Sequence, residues 1–180
     1  MHTGFYNIRR EGEDFVDVLA KEPAINLSPA SFMSKDDCDN PIILAAANRG
    51  DYQFDAGAFL HGVCGFFALA LYNAFGYSIE AVCEQPEEED EDIEWDQNLI
   101  HIFCKKGNKL IDVRGITDDD IEFLDEFNDF IETEDDLWFQ EIPATDLKDW
   151  LDSINSSENV IRLYSDAEKF IRQHRDYYVA

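Results

Sequence analysis

The sequence predicts an α+β fold in a single domain of 180 residues. Three observations carry that expectation. Residues 63–75 (VCGFFALALYNAF) are apolar almost all round, the mark of a helix inside a core. Residues 77–83 (YSIEAVC) alternate and are rich in strand formers. Two short apolar runs, 99–104 (LIHIFC) and 109–113 (KLIDV), flank Lys-Lys-Gly-Asn, a strong hairpin signal.

Near the N-terminus, residues 14–21 (DFVDVLAK) have the pattern of a short amphipathic helix stopping before Pro23. Residues 41–48 (PIILAAAN) suit a second helix, with Pro41 at its start and Gly50 beyond its end. A small-residue approach, 57–62, leads into the apolar helix, and Gly76 follows it as a C′ glycine. Segment 84–97 reads as a flexible acidic loop, with nine acids among residues 84–96. Residues 118–130 set Ile121, Phe123, Leu124, Phe127 and Phe130 among acids, which predicts an acidic amphipathic helix. A strand is expected over 137–142, then helices over 144–153 and 165–177. The last opens on Ser165 and Glu168, spaced as a capping box. The expected picture is a Cys-bearing buried helix on a small antiparallel sheet, with further helices at both ends.

Composition narrows the function classes. A hydrophobic fraction of 45% with 14 Phe describes a globular chain, not a disordered one. A net charge of −26 argues against nucleic-acid binding, which needs Lys and Arg to displace counterions, and against anionic membranes. A basic peptide or protein is the expected substrate or partner. No apolar h-region opens the chain, and no apolar run approaches the roughly 20 residues of a membrane span. Cys38, Cys64, Cys83 and Cys104 form no CxxC pair and no zinc spacing, and the chain has apolar residues enough to fold without disulfides. A reducing, cytoplasmic setting is expected. Residues 90–96 (DEDIEWD) lack the glycine and ligand spacing of an EF-hand, so no metal is expected. Without a P-loop, G-x-G-x-x-G or G-x-S-x-G, no cofactor is expected either.

The chemistry centres on Cys64. It falls in the first turn of the apolar helix, after His61-Gly62-Val63. There the helix dipole and unpaired backbone N–H groups favour the thiolate, and the same N–H groups suit a developing oxyanion. Gly65 leaves room for a substrate carbonyl. On the hairpin, a four-residue loop at 105–108 places His101 opposite Asp112. A two-residue loop at Gly107-Asn108 makes them diagonal neighbours on the same face. Either register lets the carboxylate hold one imidazole nitrogen and leave the other for proton transfer. A nucleophile, a base and an orienting group are then present in the order Cys64, His101, Asp112. Each also has a plainer role: a small buried hydrophobe for Cys64, a core histidine bonded to a carbonyl for His101, a partner of Arg114 for Asp112. Cys38, Cys83 and Cys104 read as structural, with Cys104 pointing away from His101.

The run Gly62-Val63-Cys64-Gly65-Phe66-Phe67-Ala68-Leu69-Ala70-Leu71 resembles the Cys-bearing helix of papain-like proteins. Leu99-Ile100-His101-Ile102-Phe103 and Lys109-Leu110-Ile111-Asp112-Val113-Arg114-Gly115 are similar to the His and Asp strands of transglutaminase-like enzymes. The resemblance covers residues 57–116. It implies a papain-like fold and a cysteine hydrolase or acyltransferase, acting by amide or ester cleavage, deamidation or acyl transfer through Cys64, His101 and Asp112. Papain-like enzymes place an oxyanion-hole Gln upstream of the nucleophile; Gln53 is the nearest here, further upstream than that pattern has it, and His61 is a second candidate donor. The competing expectation is a non-enzymatic acidic binding protein: a nucleic-acid mimic, or an inhibitor or immunity-type partner of a basic protein, with segment 118–136 as its interface.

Overall fold

A computed structural model describes residues 59–60, 63–84, 95–96, 99–125, 127 and 137–180. The expected helices at 14–21 and 41–48, most of the acidic loop 84–97, and residues 126 and 128–136 lie outside them. The described part is α+β, built on a five-stranded antiparallel sheet in the order β4-β3-β2-β1-β5. The strands are β1 (Ser78–Glu84), β2 (Leu99–Lys106), β3 (Lys109–Asp112), β4 (Gly115–Thr117) and β5 (Leu137–Ile142).

The apolar run forms helix α1 (Cys64–Phe75), buried along most of its length. Gly76 ends it in the left-handed region at φ 72°, its N–H donating to the Tyr72 carbonyl at 2.7 Å. One face of the sheet meets α1: Cys104 donates its thiol to the Ala68 carbonyl at 3.2 Å. Phe67 sits among Phe59, Phe170 and Tyr178, with ring centroids 5.2, 6.0 and 5.5 Å away. Tyr178 in turn donates its hydroxyl to the Val113 carbonyl at 2.8 Å, tying the core to the end of β3.

Helix α2 (Asp120–Asp125) is shorter than the acidic helix expected over 118–130. Asp119 starts it, its carboxylate accepting from the Ile121 N–H at 3.0 Å. Phe123 and Phe127 are fully buried, but Ile121 faces solvent, so the apolar stripe is narrower than its spelling suggests.

Helix α3 (Ala144–Ile154) matches its expected start, directly after Pro143. Helix α4 (Ser157–Gln173) corrects the sequence reading. It begins eight residues before Ser165, because Ser156 caps it by accepting from the Asn159 N–H at 3.3 Å. The buried positions Leu163, Ala167, Phe170 and Ile171 form one continuous helical stripe through Ser165, so that residue marks no boundary. Among the described residues no helix is long and apolar enough to cross a membrane.

The glycine beside Cys64 shows how tightly these helices meet. A Cβ on Gly65 would lie 3.2 Å from Leu147 Cδ1, 3.2 Å from Leu151 Cδ2 and 3.4 Å from Ile102 Cδ1. The missing side chain therefore lets α3 and β2 approach α1, which corrects the expectation that it makes room for a substrate carbonyl. Gly65→Leu should cost about 1–3 kcal/mol through overpacking, read as a lowered urea midpoint at unchanged slope. An unchanged midpoint would show that the contact yields freely.

Candidate active site

The hairpin places His101 and Asp112. Strands β2 and β3 pair as Lys106 with Lys109, Lys105 with Leu110 and Cys104 with Ile111. The turn is therefore Gly107-Asn108, with Gly107 at φ 64°, and the four-residue alternative is excluded. Continuing that register sets Phe103 across from Asp112 and makes His101 its diagonal neighbour on the same face. Beside His101 the β1–β2 register shifts: Val82 pairs with His101, but Cys83 pairs with Leu99, leaving Ile100 as the extra residue. Such a bulge bends a strand and re-aims its side chains.

His101 Nε2 lies 3.1 Å from Asp112 Oδ2. Asp112 is held ionised, so its oxygen accepts and Nε2 carries the hydrogen. That fixes the neutral tautomer with Nδ1 bare. Nδ1 is buried and makes no well-aligned hydrogen bond. Cys64 is among the groups that raise the pKa of the ring.

The electrostatics follow from burial and charge. Burial alone would depress the His101 pKa, but the Asp112 carboxylate and the Cys64 thiol outweigh it and hold the pKa above 6.5. Burial would raise the Asp112 pKa; the Arg114 guanidinium and His101 instead hold it well below the usual carboxylate range. Cys83 and Cys104 differ in kind. Burial, with the charge of Asp96 adding, pushes Cys83 up to about 12. Burial also drives Cys104 far above the usual thiol range. Both thiols donate to carbonyls, Cys83 to Trp95 and Cys104 to Ala68. They are inert by the criteria that govern thiol reactivity.

Arg114 was legible only as a rival partner for Asp112. The two roles coexist. Its Nε lies 3.1 and 3.0 Å from the two carboxylate oxygens, and Nη2 lies 2.7 Å from Oδ2. Its backbone N–H donates to Oδ1 at 2.8 Å. The His101 ring is walled by Phe127 and Phe123, with centroids 4.6 and 5.9 Å away, and lies parallel to Phe103 at 6.4 Å. Sequence spacing could have suggested Arg114. It is one of only 14 basic residues and sits two positions after Asp112 in an otherwise apolar stretch. Nothing local to the sequence brings Phe123 and Phe127 to the ring.

Cys64, His101 and Asp112 are all buried, at 7%, 0% and 2% exposure. Among the described residues no side chain caps the N-terminus of α1 beside the Cys64 sulfur. Of the expected oxyanion donors, Gln53 and His61 lie outside the described residues, and Gly65 is packed as above. Among the described residues no group of three or more His, Cys, Asp and Glu is placed to hold a metal ion. An apolar groove of about 640 Å³ runs between α1, α3 and α4, lined by Phe66, Leu69, Tyr72, Leu151, Val160 and Tyr164 among others; none of the trio lines it. Comparison with protein-family models, with curated proteins and with solved structures finds no match for this chain.

Proposed function

We propose that this protein is a cysteine-nucleophile hydrolase or acyltransferase of papain-like or transglutaminase-like type. Cys64 serves as nucleophile, His101 as base and Asp112 as the group that orients the base. One observation carries the reading. A buried imidazole gives one nitrogen to an ionised carboxylate and has no hydrogen-bond partner on the other, and the helix-terminal Cys64 is among the groups that raise its pKa.

The chemistry that suits these groups begins with transfer of the Cys64 proton to His101 Nδ1. The sulfur attacks a carbonyl carbon, and the carbonyl electron pair moves onto oxygen. First-turn N–H groups of α1 face the developing negative charge, favoured by the helix dipole. The imidazolium then gives its proton to the leaving nitrogen or oxygen as that bond breaks, leaving a thioester on Cys64. Water or an amine loses a proton to His101, attacks the thioester and releases the thiol. Asp112 keeps the ring in one tautomer and offsets its charge while it is protonated. The net charge of −26 favours a basic peptide or protein as acyl donor or acceptor.

Iodoacetamide labelling, followed by peptide mass spectrometry, tests the assignment. Cys64 should label first and well ahead of Cys83 and Cys104, whose raised thiol pKa values suppress their thiolates. Equally slow labelling of all three would contradict it and favour the acidic binding protein.

A further inference from the structure

The Asp112 carboxylate does not face His101 alone. The same oxygen, Oδ2, accepts from His101 Nε2 at 3.1 Å and from Arg114 Nη2 at 2.7 Å. Arg114 is itself fixed. Its Nη1 and Nη2 each donate to the Phe123 carbonyl at 3.2 Å, and its guanidinium carbon lies 4.9 and 5.3 Å from the centroids of the Phe123 and Phe127 rings. Those are the two rings that also wall the imidazole. The chain therefore places thiol, imidazole, carboxylate and guanidinium in series, and anchors the last in α2.

We propose that Arg114 is a positioning residue that holds the Asp112 carboxylate against His101 Nε2 and cancels its charge, leaving the imidazole able to give up its proton. The physical reason is a charge count in a buried site. Neutral thiol, neutral imidazole, carboxylate and guanidinium sum to zero, and so do thiolate, imidazolium, carboxylate and guanidinium. Proton transfer between Cys64 and His101 then leaves no net charge on these four groups, where an uncompensated one would be expensive. Without Arg114 both states carry one uncompensated negative charge. The cheapest remedy is to bind a proton at the His101–Asp112 pair and keep it, which removes the bare nitrogen. A carboxylate without that cation favours the protonated ring more strongly.

Among the described residues, the groups facing the ring are few. Asp112 comes from β3, Arg114 stands behind it, and Cys64 comes from α1. The residue paired with His101 on β1 is Val82, and α2 and the turn after it contribute Phe123 and Phe127. Among the described residues Arg114 is thus the one cation near the ring.

The experiment is an NMR titration of the His101 ring in the full chain, with Arg114→Gln and Arg114→Lys compared to wild type. Arg114→Gln should move the titration midpoint upward, since the lost cation no longer opposes protonation. Arg114→Lys should move it upward by less, because an ammonium keeps the charge but cannot grip both oxygens. An unchanged midpoint in Arg114→Gln overturns the proposal. If that variant does not fold, an unchanged midpoint in Arg114→Lys overturns it instead. A merely structural arginine would alter stability in both variants and leave the midpoint in place. The inference rests on the enzymatic reading, but the two fail separately. Wild-type Cys64 that labels no faster than Cys83 and Cys104 removes the enzyme, whereas a fixed His101 midpoint removes only the role of Arg114.

Discussion

Asp112→Asn should be the most destabilising conservative change in the described structure. The substitution is nearly isosteric and keeps a hydrogen-bond acceptor for His101, yet it strips the buried Arg114 guanidinium of its counter-ion. Removing one partner of a buried ion pair costs about 3–5 kcal/mol. For a chain of this size that lowers the thermal midpoint by roughly 6–20 °C. Arg114→Met should cost a similar amount, since it strands the carboxylate. The double variant Asp112→Asn, Arg114→Met should lose clearly less than the sum, because no buried charge remains unpaired. Additive losses in a urea-denaturation cycle would contradict the pairing.

The pH dependence sharpens this test. The folded pKa of Asp112 is depressed from 3.8, so its contribution is present above that value and is lost as pH falls through the folded value. The stability gap between wild type and Asp112→Asn should therefore narrow as the pH is taken below 3.8. His101 acts with the opposite sign. Its folded pKa is raised from 6.5, so its contribution is complete below 6.5 and is lost as pH rises through the folded value. A gap that widens on acidification would contradict the assignment of the depressed carboxyl to Asp112.

The second large effect is chemical. His101→Gln should slow iodoacetamide labelling of Cys64 severalfold at pH 6, since it removes the proposed base for the thiol proton. Cys83 and Cys104 should be indifferent to the change, because their thiols are bonded to carbonyls rather than to the ring. The contrast within one protein controls for any general loosening of the fold. Uniform acceleration of all three would show that the variant had merely opened the core, and unchanged Cys64 labelling would show that imidazole and thiol do not communicate.

What was legible in the sequence had short-range causes. The all-apolar run and Gly76 marked α1, alternation marked β1, and Lys-Lys-Gly-Asn marked the hairpin, though the turn proved to be its last two residues. The parity argument also survived the choice of turn, because a shift of two residues keeps His101 and Asp112 on one face. What was illegible depends on contacts distant in sequence. Strand β4 is three residues long and closes on β3 through a two-residue turn, too short to show periodicity. The start of α4 was misplaced because Ser165 and Glu168 imitate a cap, while the stripe that continues through them reveals itself only against α1. Phe123 reaches His101 across 22 positions, set there by packing alone.

The most direct test of the central claim is the titration of the His101 imidazole in wild type and in Cys64→Ala, followed by NMR of the ring. The Cys64 thiol helps hold the ring's pKa above 6.5, so removing it should lower the midpoint. Identical midpoints in the two proteins would mean that the sulfur and the imidazole are strangers, and the proposed nucleophile would have no base.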